Sequence, residues 1–352
     1  MKIKAAQWAA PGQIRLIETE KPVPGPGEVL VRVESVGVCG SDIHYFLHGR
    51  IGENRLKGPT ILGHEYAGIV EAAGEGADPS LVGRRVAVEP GIPCGACEWC
   101  RSGRYNVCEG MVFPGGPGVD GALREYMVAP AGRCFPVPAG MTAAVAAMIE
   151  PAAVAVHTVE LARLRPGDTV FVAGLGPIGL LTAQVARLCG AAAVYGADLY
   201  PERVAAARAH GVDEAFQAAP GGMAAGARAT VDWLFSRTGG RGADVTFDCT
   251  NSSDGILVAM HCARPAGRAV LTGISGAEED PVPVSVARRR GLGVQWCRRF
   301  LNNYPATLAL AATGRLDVGS LVTHSFPLER TQEAFQLVAD YADGVLKASV
   351  DF

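Results

Sequence analysis

Residues 170–186 read VFVAGLGPIGLLTAQVA, and the placement of Gly174, Gly176 and Gly179 in this run decides how the second half of the chain is organised. An apolar strand pattern stops at Ala173, three glycines follow at G-x-G-x-x-G spacing, and a helical pattern opens at once. A tight strand-to-helix turn without ligand accounts for a lone match to this pattern. The context fits a phosphate-binding turn. The first glycine permits the turn, the second lets a pyrophosphate approach the backbone, and the third lets helix and strand pack closely, leaving the phosphates at a helix N-terminus. Asp198 ends the next apolar run, AAAVYGAD, 19 positions beyond Gly179. A carboxylate there accepts hydrogen bonds from both adenosine ribose hydroxyls and repels a 2′-phosphate, which favours NAD over NADP. Arg203 either stacks on the adenine or covers the surface of its own helix.

Outward from this turn the rhythm persists. DTVFVAG, AAAVYGAD, DVTFDCT and GRAVLTGI are short apolar runs ending in small or polar residues, with helical stretches such as PIGLLTAQVARLCG and PERVAAARAHG between several of them. Alternating strand and helix predicts a doubly wound parallel sheet. Before residue 150 the pattern differs. EVLVRVESV, AGIVEAAG, RRVAVEP and REYMVAP are β-like runs broken by Pro and Gly, which predicts an irregular, mostly antiparallel domain. After residue 298, NNYPATLALAATGRL and LERTQEAFQLVADY read as amphipathic helices with the short strand LVTHSFP between them.

Within the first domain, CGACEWCRSGRYNVC places Cys94, Cys97, Cys100 and Cys108 inside fifteen residues at C-x2-C-x2-C-x7-C spacing. Two disulfides are the alternative, but cysteines two residues apart pair poorly because a disulfide demands a particular Cα separation and dihedral. Four thiolates on one tetrahedral zinc leave no open coordination position, so the site holds a loop rather than doing chemistry. Cys39 in VGVCGSDIHY and His64 with Glu65 in LGHEYAG stand upstream of it, and Glu150 in MIEP downstream. Any of these alone is more often packing than a ligand. Together with the cysteines and the glycine turn they suggest a zinc-dependent oxidoreductase. Cys134, Cys189, Cys249, Cys262 and Cys297 stand singly in apolar surroundings and read as buried small hydrophobes.

Length and composition agree. At 352 residues the chain exceeds what one core usually supports, and 49% hydrophobic content fills a sizeable interior. A net charge of −3 and the absence of a long basic run argue against a nucleic-acid partner; Arg288, Arg289 and Arg290 read as a solvated strand or helix end. No stretch reads as apolar and uninterrupted enough to span a bilayer. The N-terminal MKIKAAQWAAPG lacks the apolar core of a signal peptide, and reduced thiols imply a cytoplasmic setting.

From VGVCGSDIHYFLHGRIG through GHE, AVEPGIPC, IEPAAVAVH, the glycine turn and LVTHSFPLE, the chain resembles the zinc-dependent medium-chain dehydrogenases, most closely their sorbitol (polyol) dehydrogenase branch, over essentially its whole length. The resemblance implies an α/β protein. Residues 1–150 and 299–352 form a mostly-β, GroES-like catalytic domain with the structural zinc lobe at about 91–112. Residues 151–298 form an inserted Rossmann domain with a doubly wound parallel sheet, and the active cleft lies between the two. It further implies two zinc ions per chain, NAD, a small polyol or sugar as substrate, and a homo-oligomer, a tetramer rather than a dimer.

Carried over residue by residue, Cys39 and His64 bind the catalytic zinc, while Glu65 and Glu150 compete for the remaining coordination, one directly or through a water. Asp42 orients His64, or else caps a helix. Ser41 takes the substrate hydroxyl proton and passes it through the nicotinamide ribose towards His44, after which hydride moves to the nicotinamide. The dinucleotide contacts fall on Gly174, Gly176, Pro177, Ile178, Gly179, Asp198, Arg203, Thr272, Gly273, Ile274, Cys297, Arg298 and Arg299. Tyr45, Glu150, Arg299 and Phe300 fall where the polyol enzymes hold sugar hydroxyls. Phe300 departs from a common tyrosine, and Phe46 and His48 also differ, so the favoured substrate is open among polyols, sugars and cyclitols. A zinc threonine dehydrogenase is the alternative enzyme, and a catalytically idle, zinc-stapled protein of the same fold the alternative of another class.

Overall fold

A computed structural model describes residues 1–220 and 226–352. The chain separates into two compact units. One comprises Met1–Pro151, Leu301–Gly314 and Val318–Phe352, the other Ala152–Phe300 and Arg315–Asp317.

In the second unit six strands make one parallel sheet, running edge to edge as Glu214–Gln217, Ala193–Asp198, Thr169–Ala173, Ala243–Asp248, Ala263–Leu271 and Gly293–Trp296. Numbered by sequence the order is 3-2-1-4-5-6. It reverses between Thr169–Ala173 and Ala243–Asp248, the switch point at which doubly wound sheets bind ligands. The four inner strands are the apolar runs predicted above, and Ala243–Asp248 is buried throughout, as a strand covered on both faces must be. The two edge strands are four residues each and mostly exposed, so no apolar run marks them in the sequence. Arg288, Arg289 and Arg290 end the helix Val284–Arg290, at the pole where cations are favoured.

In the first unit the strand Glu28–Gly37 is the hub. It pairs antiparallel with Glu65–Ala73, with Tyr126–Pro130 and with Lys347–Asp351. The sheet continues outward through Arg85–Val88 to Cys134–Pro136 on one side and to Val322–Pro327 on the other. Register matters here, because Gly37 faces Glu65 across one ladder and Ser349 across the other. The core beside this sheet includes Val31, Val36, Tyr66 and Leu123, with the rings of Phe46 and Phe335 meeting edge to face at 5.5 Å. Tyr105, inside the cysteine segment, donates to Glu89 Oε1 at 2.7 Å and accepts the Asn302 N–H at 2.9 Å. That pair ties the segments Met1–Pro151 and Leu301–Gly314 of this unit together.

The run Ala143–Ala162 has the length and apolarity to cross a membrane, but 72% of an 18-residue window in it is buried inside the protein, as in a core helix. One expectation needs correction. Cys189 is exposed rather than buried, because it follows the last turn of the helix Pro177–Leu188.

Candidate metal and nucleotide sites

Zinc with four sulfurs at about 2.3 Å places them about 3.8 Å apart, the edge of the tetrahedron. Sγ separations are 4.0 Å for Cys94–Cys100, 3.5 Å for Cys97–Cys100 and 3.9 Å for Cys97–Cys108. All four sulfurs lie within 4.8 Å of one another. Backbone helps the charge: the Cys97 N–H points at Cys94 Sγ and the Cys94 N–H at Cys108 Sγ, each at 3.3 Å. N–H groups of Ala96 and Cys97 pull the Cys94 thiol down to about 6, making it a ready thiolate. The four thiols therefore fit a zinc ion.

The second cluster joins residues from different strands and loops. Cys39 is the N-cap of the helix Gly40–His48, and Asp42, its third residue, accepts the Cys39 N–H at 3.1 Å. The other Asp42 oxygen accepts the Gly63 N–H at 3.3 Å and lies 3.5 Å from His64 Nδ1. Asp42 thus serves both purposes that its sequence context allows, closing the helix end and orienting the imidazole. With Nδ1 turned to Asp42, Nε2 is the nitrogen left for a ligand. Phe113 packs on the ring with centroids 5.1 Å apart. Burial works against a charged His64, but its neighbours Asp42 and Cys39 outweigh it and raise its pKa well above the usual value. Charge of this sign at a buried imidazole is what a bound cation would replace.

Glu65 completes the group: Cys39, His64 and Glu65 each offer a ligand atom within 4.8 Å of the others. Glu150, in the first turn of the helix Ile149–Ala162, lies outside that distance but is buried and feels the same charges. Burial pushes its carboxyl up to about 7, against the pull of His64, with Glu65 adding to the rise and Lys347 opposing it. Lys347 is a residue that sequence reasoning missed. Its Nζ lies 2.5 Å from Glu65 Oε2, yet that oxygen receives no well-aligned donor, so the contact is an ion pair more than a hydrogen bond. Burial lowers the Lys347 pKa, but Glu65 and then Cys39 override it and keep the group above its ordinary value. A Cβ on Gly37 would come within 2.2 Å of Glu65 Oε2, so only glycine leaves room for the carboxylate. One thiol, one imidazole and a carboxylate, brought within ligand reach of one another, fit a zinc ion with an open position. The available signal for Lys347 was a lysine inside the apolar run VLKASV.

In the second unit Gly174 has φ +86°, and a Cβ on it would sit 2.9 Å from the Cys249 carbonyl oxygen. A Cβ on Gly179 would lie 1.8 Å from the Gly174 carbonyl oxygen, so helix and turn meet at van der Waals limit. Gly176 caps the helix Pro177–Leu188 without a side chain, and Pro177 opens it. First-turn N–H groups such as those of Ile178 and Gly179 lack helical partners and face outward for an anion. Asp198 accepts the Leu175 N–H at 2.7 Å and the Tyr200 N–H at 2.9 Å, one on each oxygen, and each oxygen keeps acceptor capacity for a ribose hydroxyl. The Arg203 guanidinium lies 3.8 Å from Asp198 and over Gly176, so it covers the turn rather than the outer face of its helix.

At the end of the strand Ala263–Leu271, the N–H groups of Thr272 and Gly273 donate to the Asp248 carbonyl at 2.9 and 3.0 Å. Cys297 donates its N–H to Leu271 at 2.8 Å, and burial pushes its thiol up to about 11, so it is a neutral neighbour of Thr272 rather than a nucleophile. Ile274 is exposed, and Arg299 holds φ +57°, an uncommon backbone for arginine. Ser41 and His44 lie three residues apart on one face of the helix Gly40–His48 and are half-buried, whereas Tyr45 and Phe300 are buried.

Residues 25–139 match the family model for the alcohol dehydrogenase GroES-like domain, and residues 177–313 that for zinc-binding dehydrogenase. A sorbitol dehydrogenase of Gallus gallus is 38% identical over 92% of this chain and 90% of its own length. An alcohol dehydrogenase of Escherichia coli CFT073, solved in complex with NADH, superimposes with TM-score 0.87 at 31% identity, covering 100% of this chain and 99% of that one. L-idonate 5-dehydrogenase of E. coli K-12 superimposes with TM-score 0.89 at 27% identity, with the same coverage.

Proposed function

We propose, from the premise that the chain belongs to the zinc-dependent alcohol dehydrogenases and to their polyol dehydrogenase branch, that it transfers a hydride from a secondary alcohol of a polyol or sugar to NAD+, giving a ketone. The observation that carries the proposal is the pairing of two sites in one chain: the Cys39, His64 and Glu65 group, and a glycine turn answered by Asp198. When bound, zinc supplies Lewis acidity to a substrate hydroxyl and NAD accepts the hydride. The residues do the rest. Cys39, His64 and Glu65 hold the ion, and Asp42 fixes the His64 tautomer. Ser41 accepts the substrate hydroxyl proton and hands it on towards His44, three residues along the same helix face. Glu150, held near neutrality by burial, orients a hydroxyl or a water beside the group. Tyr45, Arg299 and Phe300 select the substrate.

Two zinc ions per chain follow from the closed and open donor sets, Cys94, Cys97, Cys100 and Cys108 holding the structural one. The preference for NAD rests on Asp198, whose carboxylate disfavours a 2′-phosphate. All ten cysteines are unpaired, which suits a reducing, cytoplasmic setting. The test is NADH absorbance with a panel of polyols, sugars and amino acids, each run with NAD and with NADP. Turnover of polyols or sugars with NAD is the expected result. Oxidation of threonine alone would select the alternative enzyme, equal use of both cofactors would remove Asp198 as the discriminator, and silence across the panel in zinc-loaded protein would favour the idle fold.

A further inference from the structure

One charged side chain at the candidate centre has no part in the proton path or the ligand group. Of the chain's five lysines, Lys2, Lys4 and Lys57 are exposed and Lys21 half-buried, while Lys347 is buried in the strand Lys347–Asp351. The side chains of Lys347 and Glu65 retain only 5% and 1% of their exposure, with Nζ and Oε2 2.5 Å apart. Few environments cost more than this one for an ammonium, and its partner is a carboxylate of the ligand group itself. The sheet fixes the pair. Ser349 and Glu65 flank Gly37 on its two ladders, and the missing Gly37 side chain is the space that the carboxylate and the Lys347 stem occupy.

An ion entering among Cys39, His64 and Glu65 therefore meets a carboxylate that already answers to a cation. We propose that Lys347 is a positioning residue that holds Glu65 in the ligand group, serving as its cation when the centre is empty and competing with the metal for it when the centre is filled. The proposal rests on the reading of Cys39, His64 and Glu65 as a metal centre. Its consequence is a metal held less tightly than the three donors alone would hold it, in a pocket that stays folded without the metal.

Lys347→Met keeps the bulk and removes the charge, Lys347→Gln does so with a polar end, and Lys347→Arg keeps the charge. The measurements are release of the zinc that His64→Ala protein lacks, followed with a chromogenic chelator, and the thermal midpoint with and without that zinc. In Lys347→Met, or in Lys347→Gln should the first not fold, release should slow by at least about tenfold, the scale of a unit charge a few ångströms from an ion. The midpoint should fall further in the zinc-free protein than in the loaded one, and Lys347→Arg should behave like the parent in both measurements. Release at the parental rate, or equal loss of stability with and without zinc, would overturn the proposal. Equal zinc content in the parent and in His64→Ala would instead overturn the metal centre on which it rests.

Discussion

The two cysteine-bearing centres of the first unit are built on opposite plans. One draws four sulfurs from a fifteen-residue stretch at the surface, so its geometry follows from local spacing and a few backbone N–H groups. The other gathers Cys39, His64, Glu65, Glu150 and Lys347 from a span of more than three hundred positions, most of them buried. Its geometry follows from how the strands that carry Glu65 and Lys347 pair with Glu28–Gly37 and from where two helix N-termini bring Cys39 and Glu150. A local centre should fail locally, by loosening its own loop. A centre made of sheet register should fail as chemistry, because each member is held by an element that survives the loss of one side chain.

The sharpest way to break that comparison is His64→Ala. Turnover should vanish in a folded protein, and metal analysis should find about one zinc per chain instead of about two. Retained activity would show that the buried group is packing. Next in size is Ser41→Ala, which should depress oxidation by about 10²-fold or more, the range for a positioned proton transfer, with zinc content and NAD affinity unchanged. His44→Ala should cost less, since water can replace the outer end of the relay; parental rates in Ser41→Ala would leave the hydroxyl as a helix-end group only. At the local centre, Cys108→Ser should leave the catalytic metal in place and lower the thermal midpoint by about 5 °C or more. An unchanged midpoint would remove its structural role.

The smallest effect lies in the second unit, away from either cysteine-bearing centre. Burial pushes the Asp248 carboxyl up to about 6, against the Thr250 N–H and hydroxyl that favour its charged form. An unfolded aspartate titrates near 3.9, so the folded state binds this proton more readily than the unfolded one. The penalty for keeping it charged is full above about pH 6 and is relieved as the pH falls through 6 towards 4. Calorimetry should therefore show the midpoint of the parent gaining on Asp248→Asn, by a few degrees at most, as the pH goes from 7 to 5. A constant difference between the two would show that the buried carboxyl stays charged across this range, its pKa not raised by burial.

What could be read from the sequence divides along the same line as the two centres. The glycine turn, the four inner strands of the parallel sheet and the cysteine spacing are local patterns, and each was visible before any coordinates. The edge strands Glu214–Gln217 and Gly293–Trp296 were not, because an exposed four-residue strand carries no apolar period. Asp42 was legible as either a capping residue or a partner of His64, but that it is both depends on where Gly63 and His64 arrive. Gly37 and Lys347 were silent for a stronger reason. A glycine's missing side chain acquires meaning only when a strand from elsewhere puts a carboxylate in the gap, and a lysine in an apolar run announces a partner without naming it.

The pairing of Lys347 with Glu65 also sets an order of events during synthesis. The two residues are 282 positions apart, and the whole of the second unit is made between them. The cysteine lobe has all its sulfurs once Cys108 has left the ribosome, whereas Lys347 emerges 239 residues later, roughly 10–50 s at ordinary elongation rates. During that interval Glu65 has neither its strand neighbour on the far side of Gly37 nor its ammonium. The nascent chain thus passes through a stage with one centre ready for metal and the other waiting on a strand not yet made.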